Sequence, residues 1–227
     1  MNPGVFFECA FDITYLVTVF TIAIIMFCNL GNNLQYTLFA WMCVLLAGGD
    51  CFHLIPRIIS KFKKENANVT AAIGYGNVIT GTSMTVFYVI FMELLAIRYG
   101  LKLVIVRPLV YILLVCRVIT LVLPQNDWKH NTFNRTMSII RNTPFTLIGV
   151  IVVVLLFMNT WGKHDDVFRF FSWLVIVSFG CYLPVAIIHF EGPINAVFMI
   201  VKTIAYVAMI FIGFFNLSPS VAVYESV

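Results

Sequence analysis

Three ionisable side chains lie close together within one apolar stretch of the sequence: Asp50, His53 and Arg57. Their offsets of three and seven residues place all three on one face of a helix. An ionisable group inside a membrane helix costs roughly 2.5–3.5 kcal/mol on insertion scales, so it is expected to have a partner or a function. A carboxylate beside an imidazole can act as a general acid or base. We therefore predict that Asp50 and His53 are catalytic; the alternative is a hydrogen bond that only fixes helix packing.

Glycine and proline residues surround this pair. Gly48 and Gly49 remove the side chains from the preceding turn, which allows close approach of another helix or of a substrate. Pro56 weakens the helical hydrogen-bond ladder just beyond His53, which frees a carbonyl and permits a kink. This context favours a functional site over packing alone.

Other polar residues within the apolar stretches are predicted to bind a substrate. Lys202 lies too deep in its stretch to extend to the membrane surface, so an ion pair with Asp50 is expected, with Arg117 as the alternative counter-ion. Hydroxyl groups in membrane helices often bond back to their own carbonyls, but a run of them also suits a cavity lining. The predicted substrate-binding residues are Arg57, Tyr75, Asn77, Ser83, Arg117, Lys202 and Tyr206.

The sequence predicts no cofactor, with zinc as the alternative. A zinc site needs at least three converging ligands, and Asp50, His53 and His189 are the side chains that would supply them. The six cysteines occur singly, without CxxC or Cys/His spacing, so we interpret them as free apolar thiols. The basic residues are scattered at loop edges, which does not indicate a nucleic-acid partner. Membrane lipids are the predicted partners, and homo-oligomerisation is left open.

The elements that must position these residues are membrane helices. Hydrophobic residues make up 61% of the 227-residue chain and charged residues only 11%, whereas a soluble domain has about 25% charged residues. About 20 apolar residues are needed to cross a bilayer as a helix. The predicted spans are 12–30, 35–60, 71–98, 101–124, 144–161, 168–190 and 193–215.

The predicted fold class is therefore all-α, a polytopic membrane helix bundle of about seven transmembrane helices. Residues 1–227 form a single integral membrane domain. The fourth span contains Arg107 and Arg117, so a six-helix bundle is the alternative. Polar, glycine and proline residues concentrate in the second, third, sixth and seventh spans, which we expect to enclose the site. We expect the first and fifth to face lipid.

Lysine and arginine residues predict the orientation, because they accumulate on the cytoplasmic side of membrane proteins. The loops after the second and fourth spans, with their edges, carry seven: Arg57, Lys61, Lys63, Lys64, Lys129, Arg135 and Arg141. The turns on the opposite side carry four: Arg98, Lys102, Lys163 and Arg169. The amino terminus is therefore predicted to lie in the cytoplasm.

A short segment of the second span recurs in the sixth. Residues 49–52 and 179–182 share the order of a glycine, a cysteine and an aromatic residue, and Pro56 and Pro184 follow them. Internal repeats in membrane proteins often place a site at the interface between the two copies. An internal repeat with the site between its halves is therefore predicted.

At these residues the chain resembles the YhhN, or lysoplasmalogenase-like, family of membrane proteins. The segments that carry the resemblance are 46–50, Pro56, Gly74 and Gly76 in the first half, and 177–181 and 192–193 in the second. The resemblance implies about eight helices and hydrolysis of the vinyl-ether bond of lysoplasmalogens, with Asp50 as the acid. The chain departs from the family at Gly180, where a second aspartate is expected, so a two-carboxylate mechanism does not carry over intact.

Three functions are consistent with the sequence. The first is a membrane-embedded hydrolase of a lipid such as a lysoplasmalogen, with Asp50 and His53 as its acid–base pair. The second is a small transporter or channel with a gate formed by Asp50 and Lys202 at the midplane. The third is a receptor or scaffold that uses buried charges only for packing. The Asp/His pair also resembles the site of seven-helix zinc hydrolases of the ceramidase type, but the chain lacks the paired histidines that such a site needs on its last helix.

Overall fold

The computed structural model describes residues 3–62, 66–161, 165–188 and 193–217. Within these ranges the chain forms seven α-helices and no β-strand. A short 3₁₀ turn, Pro124–Asn126, follows the fourth helix. The helices are α1 (Pro3–Cys28), α2 (Leu34–Phe62), α3 (Ala67–Tyr99), α4 (Val106–Val122), α5 (Arg135–Thr160), α6 (Asp166–Ile188) and α7 (Pro193–Asn216).

Six of the seven helices in the described ranges are long and apolar enough to cross a membrane. The exception is α4, whose 17 residues extend about 26 Å at 1.5 Å per residue, slightly less than the ~30 Å hydrocarbon core of a bilayer. The prediction of a multi-pass helical membrane protein is therefore confirmed. The sequence predicted seven membrane spans, but only six of the described helices have the length and composition of a span.

Three helix starts differ from the sequence prediction by five residues or more. The first helix begins at Pro3 instead of residue 12, and α4 begins at Val106 instead of residue 101. The fifth begins at Arg135 instead of residue 144, because Asn134 caps its first turn by accepting a hydrogen bond from the N–H of Met137. Pro144 lies inside this helix; proline is tolerated within membrane helices where neighbouring groups satisfy the freed carbonyl.

Neighbouring helices run antiparallel, as short connections require. Arg107 at the start of α4 pairs with Glu93 near the end of α3. The carbonyl of Trp128, just after α4, contacts Gly74 at the start of α3. The amino-terminal ends of α1, α3, α5 and α7 therefore meet the carboxyl-terminal ends of α2, α4 and α6. We call this the cavity end of the bundle.

Glycines allow α2 and α3 to pack closely near the predicted catalytic pair. A methyl group at Gly76 would lie 2.3 Å from the carbonyl oxygen of Phe52, and one at Gly49 would lie 1.7 Å from Oγ of Ser83. Nothing lies within 4 Å of the corresponding position at Gly48. The predicted close approach is thus confirmed at Gly49 and wrong for Gly48.

A polar cluster joins α3 to α6 at the opposite end of the bundle. Asp165 accepts hydrogen bonds from Nε of Arg98 (2.6 Å) and from the hydroxyl of Tyr99 (2.9 Å). Its other carboxylate oxygen accepts the N–H of Phe168 and so caps the first turn of α6. Asp165 therefore fixes the distance between these two helix ends.

Candidate functional site

A cavity of about 350 Å³ lies at the cavity end of the bundle. Side chains of α2 to α7 and of the segment between α4 and α5 line it. The sequence-based expectation named the second, third, sixth and seventh helices, and these do line it. The expectation that the first and fifth helices face lipid is wrong for both. Arg141, Asn142 and Phe145 of α5 line the cavity, and Tyr15 of α1 donates a hydrogen bond to Asp50 inside the bundle.

Four cationic side chains line this cavity: Arg57, Arg117, Arg141 and Lys202. Arg57 forms an ion pair with Glu8 of α1, which also pairs with Lys61. No ion pair to a carboxylate is formed by the other three within the described ranges. None of the described lining residues is an aspartate or glutamate.

Arg117 is the most deeply buried of the cations, with only 2% of its surface exposed. One guanidinium nitrogen donates to the backbone carbonyl of Arg141, and the guanidinium carbon lies 5.5 Å from the ring centre of Phe145. Its Nε is buried and has no hydrogen-bond acceptor among the described residues. A buried donor without an acceptor is costly, so it is expected to meet a ligand or water.

Arg141 is held by the segment that closes α4. Its Nη1 donates to Oδ1 of Asn126 at 2.8 Å, and its guanidinium lies over the ring of Trp128 at 4.7 Å. Nδ2 of Asn126 donates in turn to backbone carbonyls at the end of α4. Nε1 of Trp128 donates to the backbone carbonyl of Leu121 at 2.7 Å. These bonds satisfy carbonyls that a helix end leaves without partners.

Lys202 faces two tyrosine rings instead of an acidic partner. Its Nζ lies 5.5 Å from the ring centre of Tyr182 and 5.7 Å from that of Tyr206, distances at which a cation is attracted to an aromatic ring. The Tyr182 hydroxyl donates to Oδ1 of Asn142 at 2.7 Å, and the Tyr206 hydroxyl lies 3.0 Å from that of Tyr88. Both rings are therefore fixed in position.

This arrangement leaves the cavity with an excess of positive charge. Arg117, Arg141 and Lys202 are compensated by aromatic rings and carbonyl oxygens, which offset only part of the cost of keeping a cation away from water. An anion in the cavity would receive charge-assisted hydrogen bonds, which are among the strongest in proteins. The cavity is therefore suited to a ligand with an anionic group and an apolar part that can pack against aromatic side chains.

His53 lines the same cavity, and its hydrogen bonds define its tautomer. The Thr80 hydroxyl donates to the carbonyl of Gly49 at 2.8 Å, so its oxygen can only accept from Nδ1 of His53, which lies 2.8 Å away. Neutral His53 then carries its proton on Nδ1, and Nε2 has a lone pair. A nitrogen of this kind can act as a hydrogen-bond acceptor or a general base.

Asp50 does not line this main cavity. It is 5% exposed and lines a smaller neighbouring cavity of about 40 Å³ between α1, α2 and α7. Its Oδ2 accepts the hydroxyl of Tyr15 at 2.8 Å, and its Oδ1 has no hydrogen-bond partner in the described part of the chain. No hydrogen bond joins Asp50 to His53 in that part, although both residues line the smaller cavity.

Five of the seven residues predicted to bind a substrate do line the main cavity: Arg57, Asn77, Arg117, Lys202 and Tyr206. Tyr75 is 55% exposed on the outside of α3, and Ser83 is buried against Gly49, bonded to the carbonyl of Thr80. The expected ion pair between Asp50 and Lys202 is not formed, although both line the smaller cavity. Arg117 contacts α5 and is not a counter-ion of Asp50.

The sequence-based prediction missed Arg141, Asn142 and Trp128. It placed all three in a loop, because Pro144 was taken as the start of the fifth helix. Asn134 is a favoured helix cap, and recognising it would have placed Arg141 on a helix whose adjacent residue Asn142 is buried. Trp128 follows the 3₁₀ turn at the end of α4, where only the tertiary structure places it against Arg141.

The zinc alternative has no complete ligand set in the described ranges, where no group of three His, Cys, Asp or Glu side chains converges. His189 lies outside the described residues. Asp50 and His53 both line the smaller cavity, but the third predicted ligand cannot be placed there.

The chain matches no protein-family model, no curated protein and no solved structure. The resemblance to the YhhN family therefore stays a prediction that rests on short sequence segments.

Proposed function

We propose that this protein binds an amphipathic organic anion of the lysophospholipid class inside its helix bundle. The observation that carries this proposal is the main cavity, where Arg117, Arg141 and Lys202 have no carboxylate partner within the described ranges. The phosphate of the ligand supplies the missing negative charge. Guanidinium groups suit this role because they donate paired hydrogen bonds to phosphate oxygens.

The position and the lining of the cavity also fit a lipid of this kind. The cavity extends from the helix ends, where the polar head groups of a bilayer would lie, to Lys202 and Tyr206 within α7. Apolar and aromatic side chains such as Met84, Phe145 and Phe179 line the rest of it. A cavity of about 350 Å³ accommodates a head group and its glycerol, while the acyl or alkenyl chain extends between helices into lipid.

Binding affinity measured in detergent tests this proposal. The protein is titrated with lysophosphatidylglycerol and, separately, with a monoacylglycerol of the same chain length that lacks the phosphate. Arg117→Gln is expected to weaken binding of the phospholipid by about tenfold or more, because a hydrogen bond to a charged group contributes about 1.5–3 kcal/mol. The neutral lipid is expected to bind weakly to both proteins.

Arg107→Gln is the matched control. It removes the same charge from the same helix, but Arg107 is paired with Glu93 towards the opposite end of the bundle. Its affinity should equal that of the unaltered protein. Equal binding of the charged and neutral lipids, or equal loss in both variants, would contradict an anion site in the cavity.

Hydrolysis of the bound lipid is the second candidate function. The observation that favours it is His53, whose Nε2 carries the lone pair of a base in a residue that lines the cavity. For an ester lysolipid, His53 accepts a proton from water as the water attacks the carbonyl carbon, and the imidazolium returns that proton to the glycerol oxygen as the acyl C–O bond breaks. For a vinyl ether, an acid first protonates the alkenyl carbon, water adds to the resulting oxocarbenium carbon and gives its proton to His53, and the hemiacetal then splits into an aldehyde and a free glycerol hydroxyl. Asp50 acts indirectly in this scheme, through the shared smaller cavity, instead of bonding to the imidazole.

Incubation with vinyl-ether and ester lysolipids separates catalysis from binding alone. Release of an aldehyde or a fatty acid by the purified protein, lost in His53→Gln while lipid binding persists, is the result expected of a hydrolase. Binding without turnover in the unaltered protein would leave a carrier or receptor. Transport through a gate at Asp50 and Lys202 would instead appear as uptake into liposomes that depends on both residues.

A further inference from the structure

The smaller cavity contains a buried carboxyl group, that of Asp50, which does not line the proposed anion site. Asp50 is 5% exposed, and its Oδ1 has no partner among the described residues. An ionised carboxylate with an unpaired buried oxygen is costly. A proton on Oδ1 removes the charge and turns that oxygen into a donor, on a residue that lines a cavity of about 40 Å³, large enough for water.

The two cavities share Met199 and three polar side chains. His53, Arg57 and Lys202 line both, so each of these groups lies between Asp50 on one side and a bound anion on the other. Arg57 is already paired with Glu8, which leaves Lys202 as the cation without a carboxylate partner in the described ranges. Lys202 therefore lines both the cavity that contains Asp50 and the cavity of the proposed anion.

We propose that Asp50 is a proton-binding site and that it takes up one proton when the neighbouring cavity binds its anion. The proposal rests on the anion site described above. The physical reason is competition for Lys202: an anion on one side neutralises its charge, so the carboxylate on the other side loses its electrostatic support. Two sites coupled in this way affect each other equally, so protonation of Asp50 also favours anion binding.

The other groups around Asp50 determine how this coupling depends on pH. Those that face it are Glu8, Asp12 and Tyr15 from α1, Cys51, His53 and Arg57 from α2, and Lys202 and Tyr206 from α7. From α3, Thr80 and Ser83 face this part of α2, and neither titrates. Glu8 and Asp12 add negative charge, which favours a neutral Asp50. Tyr15 donates to Oδ2 and favours the carboxylate.

Anion affinity as a function of pH tests the proposal. Lysophosphatidylglycerol is the probe, because its phosphodiester keeps one negative charge over the accessible range. Its affinity for the unaltered protein should fall with rising pH by up to about tenfold per unit, the limit for one linked proton. Calorimetry in two buffers of different ionisation enthalpy should show uptake of up to one proton per anion bound.

Three variants make the result decisive. Asp50→Asn should bind the anion with little dependence on pH, and Asp166→Asn, a matched change at an exposed position of the opposite end, should keep the full dependence. Tyr15→Phe, which retains both cavities, should shift the dependence towards higher pH. Retained pH dependence in Asp50→Asn, or no shift in Tyr15→Phe, would overturn the proton site. No anion binding at any pH would overturn the anion site itself.

Discussion

At the scale of single residues, the cavity is organised by hydrogen bonds that leave particular atoms available. Thr80 bridges the carbonyl of Gly49 and Nδ1 of His53, which fixes the imidazole and directs its second nitrogen away from this bond. Arg117 uses one nitrogen on the carbonyl of Arg141 and keeps a buried Nε without an acceptor in the described ranges. A few buried polar contacts therefore determine which polar atoms the cavity exposes.

The bridge at Thr80 leads to a prediction about stability. Thr80→Val removes the hydroxyl while keeping the shape of the side chain, so Nδ1–H of His53 and the carbonyl of Gly49 lose their partner. Leaving a buried polar group unsatisfied costs about 1–3 kcal/mol. We expect a lower melting temperature in detergent for Thr80→Val and a nearly unaltered one for Thr80→Ser. Equal melting of the two variants would show that the bridge contributes nothing.

At the scale of helices, the site depends on how closely α2 and α3 approach. Gly76 lies against the backbone of Phe52 and His53, with a methyl position only 2.7 Å from Cα of His53. Backbone atoms cannot rotate away as a flexible side chain can. This contact therefore sets the distance between His53 and the residues of α3 that share the cavity.

Replacing this glycine should separate the two helices. Gly76→Ala is expected to lower stability by about 1–3 kcal/mol, the usual cost of overpacking, and to weaken lipid binding. Gly48→Ala is the control, because nothing lies within 4 Å of its methyl position and alanine is the better helix former. Thermal unfolding of both variants checks this, and a loss at Gly48 as large as that at Gly76 would contradict the helix contact.

The junction of α3 and α6 makes a pH-dependent contribution. Burial raises the pKa of the Asp165 carboxyl, but hydrogen bonds from Arg98, Phe168 and Tyr99 outweigh it and hold the pKa below its ordinary value. A depressed pKa means that the stabilisation is present above the unfolded pKa of ~3.9 and is lost as the pH falls through the folded value.

Asp165→Asn should reveal this contribution. The variant loses bonds to a charged acceptor, so we expect it to be less stable at pH 7 by roughly 1.5–3 kcal/mol. The difference from the unaltered protein should begin to shrink as the pH falls below about 4, where the unfolded carboxyl becomes protonated, and should vanish only below the depressed pKa of the folded carboxyl. Melting temperatures across this pH range provide the measurement, and a constant difference would count against an ionised Asp165 as the cause.

At the scale of the whole molecule, the antiparallel order of the helices determines where the two ends of the described chain lie. Glu8, near the start of α1, pairs with Arg57 at the cavity end. Asn33 and Leu217 are hydrogen-bonded at the other end, where α1 meets α2 and where α7 finishes. Pro3 and Leu217 therefore lie at opposite ends of the bundle, as an odd number of antiparallel helices requires.

Reporter fusions at both termini test this topology. If α4 crosses the membrane despite its 17 residues, a cytoplasm-specific reporter should be active at the amino terminus and inactive at the carboxyl terminus. The basic residues near the cavity end predict this orientation. Activity at both termini would mean that only six helices cross and that α4 does not span.

Composition and hydrophobic length alone determine that this chain is a multi-pass helical membrane protein. The same sequence reasoning identified Arg57, Asn77, Arg117, Lys202 and Tyr206, because charged and polar groups in apolar spans are rare enough to stand out. It misjudged Arg141, because Pro144 resembles the first residue of a helix and Arg141 precedes it. Spacing along one helix placed Asp50 and His53 on a common face, but their partners come from other helices.

Only the tertiary structure decided which of these groups share a cavity. Tyr15 of α1 binds Asp50, Thr80 of α3 binds His53, and tyrosines of α6 and α7 surround Lys202. The physical reason is that a polar group in an apolar medium must find its partner, while the spacing within one helix does not specify what a neighbouring helix supplies. The sequence therefore determined which polar and charged residues lie in apolar helices, where burying them costs free energy. Helix packing determined that Arg117, Arg141 and Lys202 line one cavity whose described lining contains no carboxylate.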